Sequence, residues 1–185
     1  MGDDPSDDLL VADARDGNVR AFETLLDRHQ SRVLRVLRLM GVPSIDREDV
    51  AQEVLIRVFR HLGGFRAGNP FSAWLYRVTV NASYDYHSRT SRRARDEVPW
   101  SEDAPEIADT RGAADPEGLK ARLEAALSTL SDRERAVFVL KELEGLESIE
   151  VAKALGITQI TVRRHLGRAR ERLRVALSGP GRGAA

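Results

Sequence analysis

The chain has no cysteine among its 185 residues. Disulfides, thiolate zinc sites and cysteine nucleophiles are therefore excluded. Aromatic side chains make up only 5%, and the Val/Ile/Thr alternation of strands is scarce, which argues against a sheet protein. No run approaches the roughly 20 apolar residues of a membrane span. The opening Met1-Gly2-Asp3-Asp4-Pro5 is acidic where a secretory signal would carry an apolar core. Residence in the cytoplasm is the expectation that follows. His29, His61, His87 and His165 are scattered without metal-ligand spacing, so neither a metal nor another cofactor is expected.

A net excess of charge is also missing, but the zero total conceals a pattern. Residues 1–95 carry 15 basic and 13 acidic side chains, residues 96–117 carry 1 and 8, and residues 118–185 carry 13 and 8. Two mildly basic segments flank an acidic one, and local sign is what attracts or repels a polyanion.

What is present is helical periodicity. Phe22, Leu25, Leu26, Val33, Val36, Leu37 and Met40 follow the 3.6-residue stripe of a core-facing helix. Gly41 and Pro43 then supply stop signals. A second helix is expected from an Asp46 N-cap to Leu62, with Val50, Val54, Leu55 and Val58 inward, ended by Gly63-Gly64. Asn69-Pro70 opens a third, from about Phe71 to Thr90. A short leading helix fits Leu9–Arg15. Residues 96–117 contain three prolines and many acids with no sustained period, which reads as a flexible linker. Beyond it, helices fit roughly Gly118–Leu130, Ser131–Glu144 (opened by the capping-box spacing of Ser131 and Glu134), Ser148–Leu155 and Gln159–Leu177. The fold expected is all-α: two small helical domains, residues 1–95 and 118–178, joined by the acidic linker 96–117, with a loose tail at 179–185.

Residues 148–166 fit a helix-turn-helix, two helices crossing closely at a tight turn. Val151, Leu155, Ile157 and Val162 supply the shared apolar contacts, Gly156 the turn, and Thr158 a hydroxyl cap. With Val162, Leu166, Ala169 and Leu173 inward, the outward face carries Ile160, Arg163, Arg164, Gly167 and Arg168. Such a helix fits the major groove, and its N-terminal residues reach base edges. Thr158, Gln159, Ile160, Thr161, Arg163, Arg164 and Arg168 are the expected duplex contacts. Arg164 is best placed to read guanine and Ile160 to touch a thymine methyl, while Arg168, Arg170, Arg172 and Arg174 suit phosphates.

A duplex reader alone has no need of residues 1–95. Their notable feature is a concentration of aromatic, basic and amide side chains around one glycine-rich loop and the helix after it: Phe65, Arg66, Asn69, Trp74, Arg77 and Asn81. That mixture can stack on and hydrogen-bond unpaired bases while arginines, extended here by Arg89, Arg92, Arg93 and Arg95, track the phosphates. Phe71, Trp74, Leu75 and Val78 are also spaced as a core stripe. Phe71 and Leu75 are expected to be structural, Trp74 to serve either role.

Asp46-Arg47-Glu48-Asp49-Val50-Ala51-Gln52-Glu53-Val54, then Phe65-Arg66 and Ala73-Trp74-Leu75-Tyr76-Arg77-Val78-Thr79-Val80-Asn81, resembles the first domain of extracytoplasmic-function RNA polymerase sigma factors. Leu140-Lys141-Glu142-Leu143-Glu144-Gly145-Leu146, then Gly156-Ile157-Thr158 and Thr161-Val162-Arg163, resembles their second. The resemblance covers about residues 9–177, with both domains in order. It implies a transcription initiation factor without covalent chemistry. Asp49, Gln52, Glu53, Arg57 and Arg60 would bind the clamp helices of core polymerase. Phe65, Arg66, Asn69, Trp74, Arg77, Asn81, Arg92 and Arg93 would engage unpaired minus-ten bases. The helix-turn-helix would read the minus-35 duplex, and an anti-sigma protein would hold the factor inactive. Glu147 stands where the family more often has Ser or Thr, which weakens that cap. A stand-alone helix-turn-helix regulator is the main alternative, and association with core polymerase separates the two. An enzyme and a purely structural helical protein are disfavoured by the scattered histidines and by the basic helix asymmetry.

Overall fold

The computed structural model describes the backbone of residues 5–65, 70–97 and 116–178. Among these residues there are eight α-helices and no strand, and no helix is long and apolar enough to cross a membrane. Four helices form the first domain: α1 (Asp7–Arg15), α2 (Val19–Leu39), α3 (Ser44–His61) and α4 (Phe71–Glu97), with one 3₁₀ turn at Leu62–Gly64. Four form the second: α5 (Pro116–Ser128), α6 (Asp132–Phe138), α7 (Ser148–Leu155) and α8 (Gln159–Ser178), with a π turn at Val139–Leu143 between α6 and α7.

In the first domain the apolar stripe of α2 does what its spacing dictates. Leu25, Val33 and Leu37 are buried together with Val50, Val54 and Val58 of α3 and Phe71 and Leu75 of α4. Asn18 caps α2 by accepting from Ala21 N–H at 3.2 Å, filling one of the donors a helix start leaves open. At α3 the boundary expected at Asp46 falls earlier. The helix begins at Ser44 after Pro43, whose fixed φ suits the approach. Asp46 is free to accept instead from the Tyr86 hydroxyl of α4 at 2.7 Å. Helix α1 is tied down by one carboxylate. Asp7 receives Arg28 at 2.6 Å and meets the ring Nε2 of buried His29 at 2.6 Å. Burial opposes ionisation of Asp7, but these two partners outweigh it and hold its carboxyl below the usual range.

In the second domain Ser131 caps α6 as expected, with Ser131 N–H returning to the Glu134 carboxylate at 3.1 Å. The single helix expected from Ser131 to Glu144 is α6 followed by the π turn, which widens the last turn before Gly145. Gly156 closes α7 at φ 64°, the left-handed conformation glycine adopts without a Cβ penalty. Glu147 is the N-cap of α7. Its N–H donates to the Glu150 carboxylate at 2.7 Å, which ties the start of α7 from the Glu150 side.

The acidic stretch expected as linker is trimmed at both ends, because α4 continues to Glu97 and α5 starts at Pro116. Its flexible character, like the loose tail at 179–185, concerns residues outside those described. The two domains also touch. Val36, Leu39 and Met40 of α2 and Tyr76 and Val80 of α4 belong to one buried cluster with Leu127, Leu140 and Val151 of the second domain.

Candidate nucleic-acid interface

Helix α8 follows the turn of the helix-turn-helix, and its register is set by Val162, Ala169 and Leu173, all buried. Leu166, expected inward, is half-buried. Thr158 accepts from Thr161 N–H at 3.2 Å and shares a 2.9 Å hydroxyl bond with Thr161. The Thr158 hydroxyl is thus committed to the helix start. Gln159, Ile160, Arg163, Arg164 and Arg168 are exposed, and Ile160 retains 76% of its accessible surface.

The arginines of α8 divide into two sets. Arg170 pairs with Glu142 at 2.8 Å, Arg172 with Glu134 at 3.0 Å and Arg174 with Glu171 at 2.7 Å. These three were expected on phosphates, yet each is held by a carboxylate of its own domain. Arg163, Arg164 and Arg168 have no such acid partner among the described residues. The unneutralised charge therefore lies on the N-terminal half of the helix, the half that enters a groove. His165 lies within this N-terminal set, between Arg164 and Arg168. Burial and the nearby Arg164 push its imidazole below the ordinary range, which leaves it neutral at pH 7.

The first domain gathers its candidates on one face of α4. Trp74, Arg77 and Asn81 are spaced i, i+3 and i+7. Together with Arg57, His61, Gly64 and Val78 they line an open recess of roughly 500 Å³. Arg77 and Asn81 are exposed and Trp74 is half-buried. Phe65 is placed differently from expectation. It is buried, with ring centroids 5.9 Å from Phe71 and 5.3 Å from Trp74. It packs against Phe71 and Trp74 and keeps only 6% of its accessible surface. Arg66 and Asn69 lie outside the described residues. Arg92 and Arg93 are exposed further along α4.

Among the candidates on α3, Asp49, Gln52 and Arg60 are exposed. Glu53 and Arg57 are engaged across the helix pair. Arg89 donates to Glu53 at 3.1 Å and Arg57 to Asp85 at 2.7 Å. The sequence reading missed the apolar centre of this face: Ile56 is 44% and Phe59 63% exposed. Both fall outside the inward stripe Val50-Val54-Val58, and that was the available signal. Among the described residues no group of acidic or histidine side chains could hold a metal ion.

Comparison with known proteins agrees with this division. Residues 25–93 match Sigma-70 region 2 and residues 120–173 match Sigma-70, region 4. The chain is 32% identical to RNA polymerase sigma factor CnrH of Cupriavidus metallidurans, over 96% of this chain and 97% of that relative. It is also 32% identical to the ECF RNA polymerase sigma-E factor of Escherichia coli, over 92% of this chain and 94% of that protein. The solved structure of CnrH in complex with the cytosolic domain of CnrY superposes with a TM-score of 0.72 at 30% identity, covering 95% of this chain and 99% of CnrH. The chain belongs to the extracytoplasmic-function sigma factors. Members of this family are initiation factors and carry out no catalysis of their own.

Proposed function

We propose that this sigma factor binds core RNA polymerase through the exposed face of α3, captures unpaired minus-ten bases on α4, and reads the minus-35 duplex with α8. The observation that carries the reading is the division among the α8 arginines. Those toward the C-terminus are neutralised internally, and those at the groove-entering end are left for a polyanion. On α3, Asp49, Gln52 and Arg60 would frame Ile56 and Phe59. An apolar centre within a polar rim is the common anatomy of a protein interface. On α4, Trp74 offers a stacking surface and Asn81 an amide for a base edge, with Arg77, Arg92 and Arg93 along the strand. Arg66 and Asn69 would complete the loop side.

Energetically the factor acts by favouring one DNA state. Stacking between neighbouring pairs averages about 1.4 kcal/mol per step, and a base held on an aromatic surface returns about 1–3 kcal/mol. One or two captured bases can therefore tip local opening once polymerase contacts contribute. The 18 residues between Glu97 and Pro116 have a maximum reach of roughly 60 Å, which, added to the dimensions of the two domains themselves, lets them work on separate promoter elements. CnrH, solved with the cytosolic domain of CnrY, supports an anti-sigma partner for this chain too, and its site of action would be the cytoplasm. Transcription in vitro with purified core polymerase on a random promoter pool tests the reading. Enrichment of paired minus-35 and minus-ten elements supports it, and no enrichment rejects it.

A further inference from the structure

One polar side chain interrupts the apolar stripe of α2. His29 stands one turn after Leu25 and one turn before Val33, and it is only 3% exposed. An imidazole in such a place is costly unless its polar atoms find partners. One of them does. Nε2 lies 2.6 Å from Oδ2 of Asp7, the first residue of α1. Nδ1 is buried with no partner among the described residues, which assigns the proton to Nε2 as donor to the carboxylate. The other oxygen, Oδ1, accepts from Arg28 at 2.6 Å. Arg28 also donates to Pro5 C=O at 2.9 Å. The carboxylate is thus fixed from two sides, and it fixes one edge of the imidazole ring. A leucine at position 29 would fill a similar volume without any help from α1, so burial alone does not call for this pair.

The imidazole ring faces Phe71, with centroids 5.3 Å apart and planes at 59°. Phe71 is the first residue of α4 and is itself 3% exposed. Its ring meets Trp74 at 5.7 Å and Phe65 at 5.9 Å. Phe65 precedes and Phe71 follows residues 66–70, so their contact ties the two ends of that segment. Trp74 is half-buried and lines the recess it shares with Arg77 and Asn81. Asp7, His29 and Phe71 do not line that recess. Their influence on it runs through Trp74. Helix α1 also packs on α4 and on the 3₁₀ turn, with Leu10 and Val11 buried in one cluster with Phe65 and Phe71. Ring pairs of this kind favour tilted or edge-to-face geometries, and a close-packed interior passes a displacement from one ring to the next.

We propose that Asp7 and His29 are positioning residues for the single-strand recess: the carboxylate orients the imidazole, the imidazole orients Phe71, and Phe71 sets the angle at which Trp74 meets a base. The last step rests on the reading of Trp74 as a stacking surface; the relay from Asp7 to the Trp74 ring does not.

The test uses the full chain with Trp100→Phe, which leaves Trp74 as its single tryptophan. Emission and lifetime of that indole report its surroundings without any DNA. Capture is read by fluorescence anisotropy, with the holoenzyme and the labelled minus-ten single strand of a promoter selected from the random pool. Two variants are compared. His29→Leu keeps the core filled and removes the ring, and Asp7→Asn keeps the shape and removes the charge. Both should alter the Trp74 signal and weaken capture about fivefold, a part of what one stacked base contributes. His29→Leu should do so with Tm within a few degrees of the parent, whereas a merely structural residue would lower Tm and leave the Trp74 signal in place. An unchanged Trp74 signal in both variants overturns the relay. An altered signal with unchanged capture, while Trp74→Ala weakens capture, overturns the positioning role, and so does weaker capture only in step with a lower Tm. An altered signal with capture unchanged in Trp74→Ala as well upholds the relay and rejects stacking on Trp74. If circular dichroism shows that His29→Leu has lost helix, Asp7→Asn, at a side chain 28% exposed, decides by the same two readings.

Discussion

Replacing Arg164 and Arg172 separately by alanine should produce opposite signatures, although the two residues lie about two turns apart on one helix. Arg164 is exposed and has no acid partner among the described residues. If it grips a guanine with two hydrogen bonds, its loss costs about 1–3 kcal/mol of binding, or roughly 5- to 150-fold in affinity. It should leave the melting temperature unchanged, because nothing in the fold leans on it. Arg172 is half exposed, and its partner Glu134 is 4% exposed at the side chain. Solvent screening limits the worth of the pair itself. The buried Glu134 carboxylate would keep only its bonds from Ser131, the N–H at 3.1 Å and the hydroxyl. About 1 kcal/mol of stability, or about 2–4 °C in Tm, is the expected loss. Fluorescence anisotropy on minus-35 duplexes and thermal melting followed by circular dichroism read the two quantities. Weaker DNA binding without a lower Tm for Arg172→Ala would refute the division of the α8 arginines. So would a lower Tm with intact selectivity for Arg164→Ala.

Other consequences are equally specific. Asn81→Ala should lower open-complex formation, read by permanganate reactivity, several-fold more than it lowers polymerase binding; equal losses would remove Asn81 from base capture. Phe59→Ser, at a side chain 63% exposed, should weaken association with core polymerase by about tenfold, as loss of a central apolar contact does, and should lower Tm by only a few degrees through the lost edge-to-face contact with Phe22. Glu134 also sets an acid limit. Burial opposes its ionisation, but the Ser131 hydroxyl and backbone N–H and then Arg172 outweigh this and hold its carboxyl below the usual range. Its stabilisation is thus present above the unfolded value of roughly 4 and is lost as pH falls through the lower folded value. Denaturant titrations between pH 5 and 2 should show that slope flattened in Glu134→Gln.

The helices were legible wherever burial set the period. The stripe from Leu25 through Leu37 and the inward set Val162, Ala169 and Leu173 are one-sided patterns that only a core-facing helix satisfies. The start of α3 was not legible, because Asp46 is a good cap by type but is drawn to Tyr86, 40 residues away. Phe65 was misplaced for a similar reason. An aromatic beside a glycine-rich loop looks available until Phe71 and Trp74 close over it. The internal pairing of Arg170 and Arg172 depends on Glu142 and Glu134, brought near by tertiary packing that periodicity does not encode. Glu144 is the clearest case. In sequence it is one acid among several near Gly145, and only the packing of the second domain on α2 and α4, which brings Arg35 and the Tyr76 hydroxyl to it, leaves its side chain 1% exposed.

The exposed α3 face must be a docking surface for core polymerase if α4 and α8 are to act at a promoter. Equilibrium binding of the purified full chain to core RNA polymerase, in the absence of any inhibitor, measures this directly. The account predicts saturable one-to-one binding that Phe59→Ser weakens and Arg164→Ala does not. Absence of binding by the folded chain would contradict it.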